Sequence, residues 1–138
     1  MSMEIFVFSD WTLATIEEWQ IAIDAEGFPL RVANGAPFAS LSGFLPMQLD
    51  GRKAGCECDH FDAAEIMDAY ADVEFGRRWR HALALRFGGD IDACISAYMA
   101  GAAYARATEG CVLDAQEARV LTPREAAVVV RELLKFRR

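Results

Sequence analysis

The clearest pattern in the chain runs from Trp79 to Arg106. Trp79, His81, Leu83, Leu85 and Phe87 alternate with Arg80, Ala82, Ala84 and Arg86. Both faces are partly apolar in the middle, which predicts an interior strand whose ends reach solvent. Gly88-Gly89 breaks the run, and Asp90 is placed to cap a helix starting at Ile91. From Ile91 to Arg106 nearly every position is apolar or small. A helix that is apolar all round is a buried helix. Ala93, Ala97, Ala100, Gly101 and Ala103 would let it lie close to a sheet or another helix.

The remaining elements read outward from that core. Glu4 to Phe8 is a short β-type run. Thr15 to Glu18 has the form of a capping box, ahead of an apolar stripe of Ile16, Trp19 and Ile23. Gly27 suits the left-handed residue after a helix. Phe28 to Ala33 predicts a second strand, which Pro29 pushes to an edge or to the strand's start. Asn34-Gly35-Ala36-Pro37 predicts a turn or loop, and Ala39 to Gly43 stays open. Phe44 to Phe61 predicts a hairpin turning at Asp50-Gly51, because a type I′ turn needs positive φ at both positions. That turn pairs Leu49 with Arg52, Met47 with Ala54 and Leu45 with Cys56. Cys58 and His60 continue this mostly apolar face. Phe44, Gln48, Lys53, Glu57 and Asp59 lie on the other.

Asp62 is the expected N-cap of the next helix, with Glu65 at the third position. Its expected stripe is Ile66, Tyr70 (or Ala69) and Val73. Glu65, Asp68, Asp72 and Glu74 make the rest acidic, and Gly76 is expected to end it. After the buried helix, which Gly110 is expected to end, Cys111 to Leu113 and Arg119 to Leu121 predict a small hairpin. Thr122-Pro123-Arg124-Glu125 starts a last helix with Ala126, Val129 (or Val130) and Leu133 inward. Lys135, Arg137 and Arg138 suit its C-terminal end. The expected order is β-α-β-ββ-α-β-α-ββ-α. This is a single α+β domain over residues 1–138, with three to four helices on a mostly antiparallel, partly mixed sheet.

Composition narrows the function classes. The chain is 54% hydrophobic and 25% charged, which excludes wholesale disorder. A net charge of -7 argues against nucleic acid and against an anionic membrane surface as partners. The charge is uneven. Met1 to Glu74 holds 14 acids and three bases, net -11; Phe75 to Arg138 holds seven acids and 11 bases, net +4. Exposed helix faces account for such runs most simply, while an acidic face meeting a basic partner is the sharper reading. Met1 to Asp10 lacks the basic start of a signal peptide, so a cytoplasmic protein with reduced thiols is expected.

Several positions are candidates for chemistry. Cys56, Cys58 and His60 are metal-ligand types on one strand face, yet the first and last sit about 13 Å apart on a strand. That is too far for one zinc, and burial as small hydrophobes is the stronger reading. A cysteine nucleophile is disfavoured because Glu57 and Asp59 raise neighbouring thiol pKa values. Gly88-Gly89-Asp90 lacks the phosphate-loop patterns and reads as a helix cap. Arg77, Arg78, Arg80 and His81 form a basic knot that pairs with Glu65, Asp68, Asp72 and Glu74, or receives an anionic ligand or a partner's carboxylates. Glu57 and Asp59 could do acid–base work but default to a solvated face. Phe38, Leu41 and Phe44 are candidates for a homo-oligomer contact.

Ser42 to Glu57 (SGFLPMQLDGRKAGCE), Phe87 to Asp90 (FGGD) and Gly110 to Ala126 (GCVLDAQEARVLTPREA) resemble small bacterial proteins of no known function, over most of the chain from Trp19 onward. No catalytic motif comes with that resemblance. In size and acidity the chain is also similar to the immunity proteins of bacterial toxin systems, a likeness of general character. The expectation is a non-enzymatic, acidic protein-binding domain without a cofactor and with a basic protein as partner. The alternative is a small-molecule or metal site, with enzymatic activity, on the Cys56, Cys58, His60 and Glu57 hairpin.

Overall fold

The computed structural model describes residues 3–33 and 38–137. The Asn34 to Pro37 turn and the Arg138 end lie outside them. The elements are β1 (Met3–Ser9), α1 (Ile16–Ala25), β2 (Leu30–Val32), a 3-10 turn (Phe38–Ser40), β3 (Ser42–Leu49), β4 (Arg52–Asp62), α2 (Ala63–Ala69), β5 (His81–Phe87), α3 (Ile91–Ala107), β6 (Cys111–Asp114), β7 (Arg119–Leu121) and α4 (Pro123–Leu134). The strands form one seven-stranded sheet in the order β2-β3-β4-β5-β1-β6-β7. This is the expected α+β arrangement, with four helices. All the pairings are antiparallel, so no mixed pairing occurs among the described residues.

Local signals account for much of this. Asp50 and Gly51 take φ 52 and 79, and the hairpin register is the one that turn imposes, from Leu49 opposite Arg52 to Leu45 opposite Cys56. Thr15 Oγ1 accepts from the Glu18 N–H at 3.1 Å, while the Glu18 carboxylate reaches back to Ala14 N, one residue before the expected position. Thr122 and Glu125 complete the second capping box in both directions. β2 starts directly after Pro29 and is an edge strand.

The two faces of the sheet differ. α1, α3 and α4 cover one, over a core that includes Ile5, Val7, Leu83, Leu85, Leu45 and Met47. α3 is buried from Ile95 to Ala105, as its all-round apolar pattern requires. Gly101 allows the close approach: a Cβ there would lie 3.0 Å from Ile5 Cδ1. Trp19 fixes α1 against α3 by donating from Nε1 to the Ala100 carbonyl at 3.0 Å. The other face carries a smaller cluster of Phe6, Phe8, Ala82, Ala84, Cys111 and Leu113, covered by Ala63 and Met67 of α2 and by Tyr70, Phe75 and Trp79 beyond it. This cover stops short of the β2–β3–β4 end. There Arg31, Ser42, Phe44, Pro46, Gln48, Lys53 and Glu57 are exposed.

Several expectations need correction. α2 ends at Ala69, so Asp72, Glu74 and Gly76 belong to an irregular segment. The helix leaves straight from β4, and Asp62 is still paired with His81; its side chain makes no cap bond. Met67, rather than Ile66, is the residue α2 buries most deeply beside Ala63. Trp79 precedes β5 and packs on the smaller cluster, opposite to Leu83 and Leu85, because the chain has not yet entered the strand. Gly110 follows the end of α3 as expected, its N–H donating to the Ala105 carbonyl at 2.8 Å, but it does not take the left-handed conformation. Glu109 does, at φ 54. Gly110 is required by space instead, lying against the Phe8 carbonyl.

Candidate functional site

The hairpin of β3 and β4 positions most of the residues singled out for chemistry. Cys56 and Cys58 point into the core beneath α3, 2% and 0% exposed, with Sγ atoms 3.9 Å apart. Their hydrogen bond, then burial, pushes the Cys58 thiol far above its ordinary pKa. Burial also raises Cys94 to about 11 and Cys111 to about 12. Such thiols stay protonated and are poor nucleophiles. His60 Nε2 lies 3.0 Å from the Phe38 carbonyl oxygen, and the ring meets Phe38 edge-on, with centroids 5.0 Å apart. The trio shares a face, but each member is already engaged in the core. Among the described residues no group of three or more His, Cys, Asp or Glu side chains is placed to hold a metal.

Glu57 and Asp59 project from the opposite side of β4. Glu57 is exposed, with Phe44 across from it on β3 and Arg86 across from it on β5. Arg86 donates to Glu4 at 3.1 Å. Asp59 accepts from Ser42 Oγ at 2.7 Å. These two carboxylates are parts of a cross-strand polar surface. A groove of about 850 Å³ opens beside Glu57, lined by Phe44, Lys53, Gly55, Arg86 and Asp90 among others.

The basic knot does not fold onto the acidic run as a block. Arg77 pairs with Asp10 and stacks over the Trp79 ring, its guanidinium carbon 4.3 Å from the centroid. Arg78 reaches Asp68 at 3.8 Å, with both side chains mostly exposed. Arg80 is exposed and makes no ion pair among the described residues. Asp90 caps α3 through the Asp92 N–H at 3.4 Å, as expected of the Gly-Gly-Asp turn. Phe38 and Leu41 are buried, so they cannot form the exposed oligomer contact; of that trio only Phe44, 61% exposed, remains at the surface. The 3-10 turn carries Phe38 into the Trp19 and Tyr104 rings.

Two arrangements have no local sequence signal. Arg137 bridges Asp50 at the hairpin tip and Asp92 at the start of α3, and Arg52 joins Asp92 at 3.0 Å. Their partners lie 87, 45 and 40 residues apart in the chain. Gln20 of α1 bonds the outer edge of β2 through both atoms of its carboxamide.

The ion pairs also redistribute the charge. Five of them join a base of the second half to an acid of the first: Arg77–Asp10, Arg78–Asp68, Arg86–Glu4, Arg106–Glu26 and Arg137–Asp50. Glu57, Asp62, Glu65, Asp72 and Glu74 are exposed and make no ion pair among the described residues. No family model, curated protein or solved structure matches the chain.

Proposed function

We propose that this chain is a non-enzymatic binding domain that docks an acidic surface onto a basic protein, as an inhibitor or immunity protein does. The observation that carries the reading is where charge stays uncompensated after folding. Five of the 11 bases of the second half are drawn into ion pairs with first-half acids, while Glu57, Asp62, Glu65, Asp72 and Glu74 face solvent without an ion pair among the described residues. Exposed Phe44 stands across from Glu57, an apolar group beside the charged ones. Carboxylates arranged this way steer a basic partner and fix its orientation more than they hold it.

The experiment is affinity capture from the native host with the wild-type chain and with a Glu65→Lys, Asp72→Lys, Glu74→Lys variant. All three side chains are exposed, so the variant is expected to keep its fold. The reading expects a basic protein bound by the wild type and lost from the variant. Equal capture by both contradicts it.

A further inference from the structure

Several stretches of strand edge lack a strand neighbour, among them β2, β7 and the start of β4, and β2 and β4 are treated differently. An open edge presents peptide groups that pair readily with another chain. On β2 those groups are occupied: Gln20 Nε2 donates to the Leu30 carbonyl at 2.8 Å, and Gln20 Oε1 accepts from the Val32 N–H at 2.8 Å. Asp24 holds the same carboxamide at 2.9 Å.

The start of β4 has no such seal among the described residues. β4 pairs with β3 from Arg52 onward, but with β5 only from Glu57 onward. β5 stops at Phe87, where the chain turns into Gly88-Gly89. Among the described residues no backbone hydrogen bond joins 52–56 to 88–90. Gly55, at φ 141, sits where the pairing gives out, and the Phe44 ring rests on it: a Cβ there would lie 2.6 Å from Phe44 Cζ. The groove beside Glu57 runs along this open edge, with Cys56, Phe87 and Ala93 also in its lining. Beyond Arg52, the Arg52–Asp92 and Arg137–Asp50 pairs tie the hairpin tip to α3 and to the chain end.

The geometry points to this groove as the seat of an extended partner segment that adds to the Arg52–Cys56 edge as a short strand and sets a lysine or arginine among Phe44, Glu57 and Asp90. The backbone supplies the pairing, as in other strand additions. The charge supplies the choice of side chain. Glu57 and Asp90 make no ion pair among the described residues, whereas the charge of Arg86 is already met by Glu4. The exposed Phe44 ring offers a face to a cation. Lys53, two positions nearer the tip than Gly55, meets the segment's next outward side chain, which must then be polar or acidic. The inference rests on the reading of a basic partner and says which part of that partner is held, and how.

The test is an amide-shift titration of the labelled full chain with the peptide acetyl-Val-Arg-Val-Ser-Val-amide. Two controls accompany it: the same peptide with Glu for Arg, and the Arg peptide methylated on every backbone nitrogen. The expected result is shifts at Lys53, Gly55, Glu57, Gly88 and Asp90 with the Arg peptide, and binding about tenfold weaker with either control or with Glu57→Gln, the scale of one charge-assisted contact. No shift at these amides overturns the proposal. Equal binding of the methylated peptide overturns strand addition and leaves the basic-partner reading standing. Equal binding of the Glu peptide overturns the preference for a basic segment, while the charge-reversal capture judges the acidic surface separately.

Discussion

A methyl group at Gly110 would lie 2.0 Å from the Phe8 carbonyl oxygen, a backbone atom that cannot swing aside. Gly110 does not have positive φ, so the constraint is space alone. Gly110→Ala should lower stability by about 2–3 kcal/mol, at the upper end of overpacking costs. Chemical denaturation checks this, and wild-type stability in the variant contradicts it. The sequence marks the glycine but not its reason, because Phe8 is distant in the chain. The thiols make a second prediction. Cys94 rises from 9.0 to about 11 and Cys111 from 9.0 to about 12, mainly through burial. Above the lower value the unfolded thiols ionise while the folded ones hold their protons. Stability from this source is therefore full below pH 9.0 and lost as pH climbs to about 11 to 12. Unfolding midpoints should fall over that window in the wild type and fall less in a Cys94→Ala, Cys111→Ala variant. Equal slopes contradict the assignment.

Elements with regular punctuation were legible, and those held by distant partners were not. Asp50-Gly51 set the hairpin and its register, and Thr122 to Glu125 announced α4, since each signal and its effect lie within a few residues. α3 was legible because its pattern demands burial on every side. The segment from Tyr70 to Trp79 has no period to read, yet it covers the second face of the sheet: Tyr70 meets Phe6 and Phe75 meets Phe8 edge-on, at 5.9 and 5.1 Å between centroids. Its acids looked helical only by extension from α2. The β2 edge was likewise readable as an edge, from Pro29, but its seal by Gln20 was not. Gln20→Ala leaves the Leu30 carbonyl and Val32 N–H without that partner and opens the edge. It should cost about 1–2 kcal/mol of stability and bring a concentration-dependent association that the wild type lacks. Sedimentation of the two proteins over a range of concentrations decides it; identical behaviour means the edge is not held closed by Gln20.

At the scale of the molecule, the uneven charge was plain in the chain, but its fate was not. Ion pairs such as Arg86–Glu4 and Arg137–Asp50 join residues 82 and 87 apart, so no local pattern reveals which acids are left over. Among the candidates, the Cys56, Cys58 and His60 face was correctly placed on one side of a strand, while its role in the core depends on α3 and Phe38 arriving from elsewhere. No helix among the described residues is long and apolar enough to cross a membrane. The surface includes the exposed carboxylates of Glu57, Asp62, Glu65, Asp72 and Glu74, an exposed Phe44 across from Glu57, and an open strand edge at the start of β4. Docking through those carboxylates is tested most directly by the salt dependence of capture. Bound protein should be eluted from the immobilised wild-type chain as salt is raised from about 20 mM to about 500 mM, across which the screening length falls several-fold. A basic protein should be released along that series and be missing at low salt from the Glu65→Lys, Asp72→Lys, Glu74→Lys variant. Retention unaffected by salt, or by the reversed charges, would contradict docking through these carboxylates.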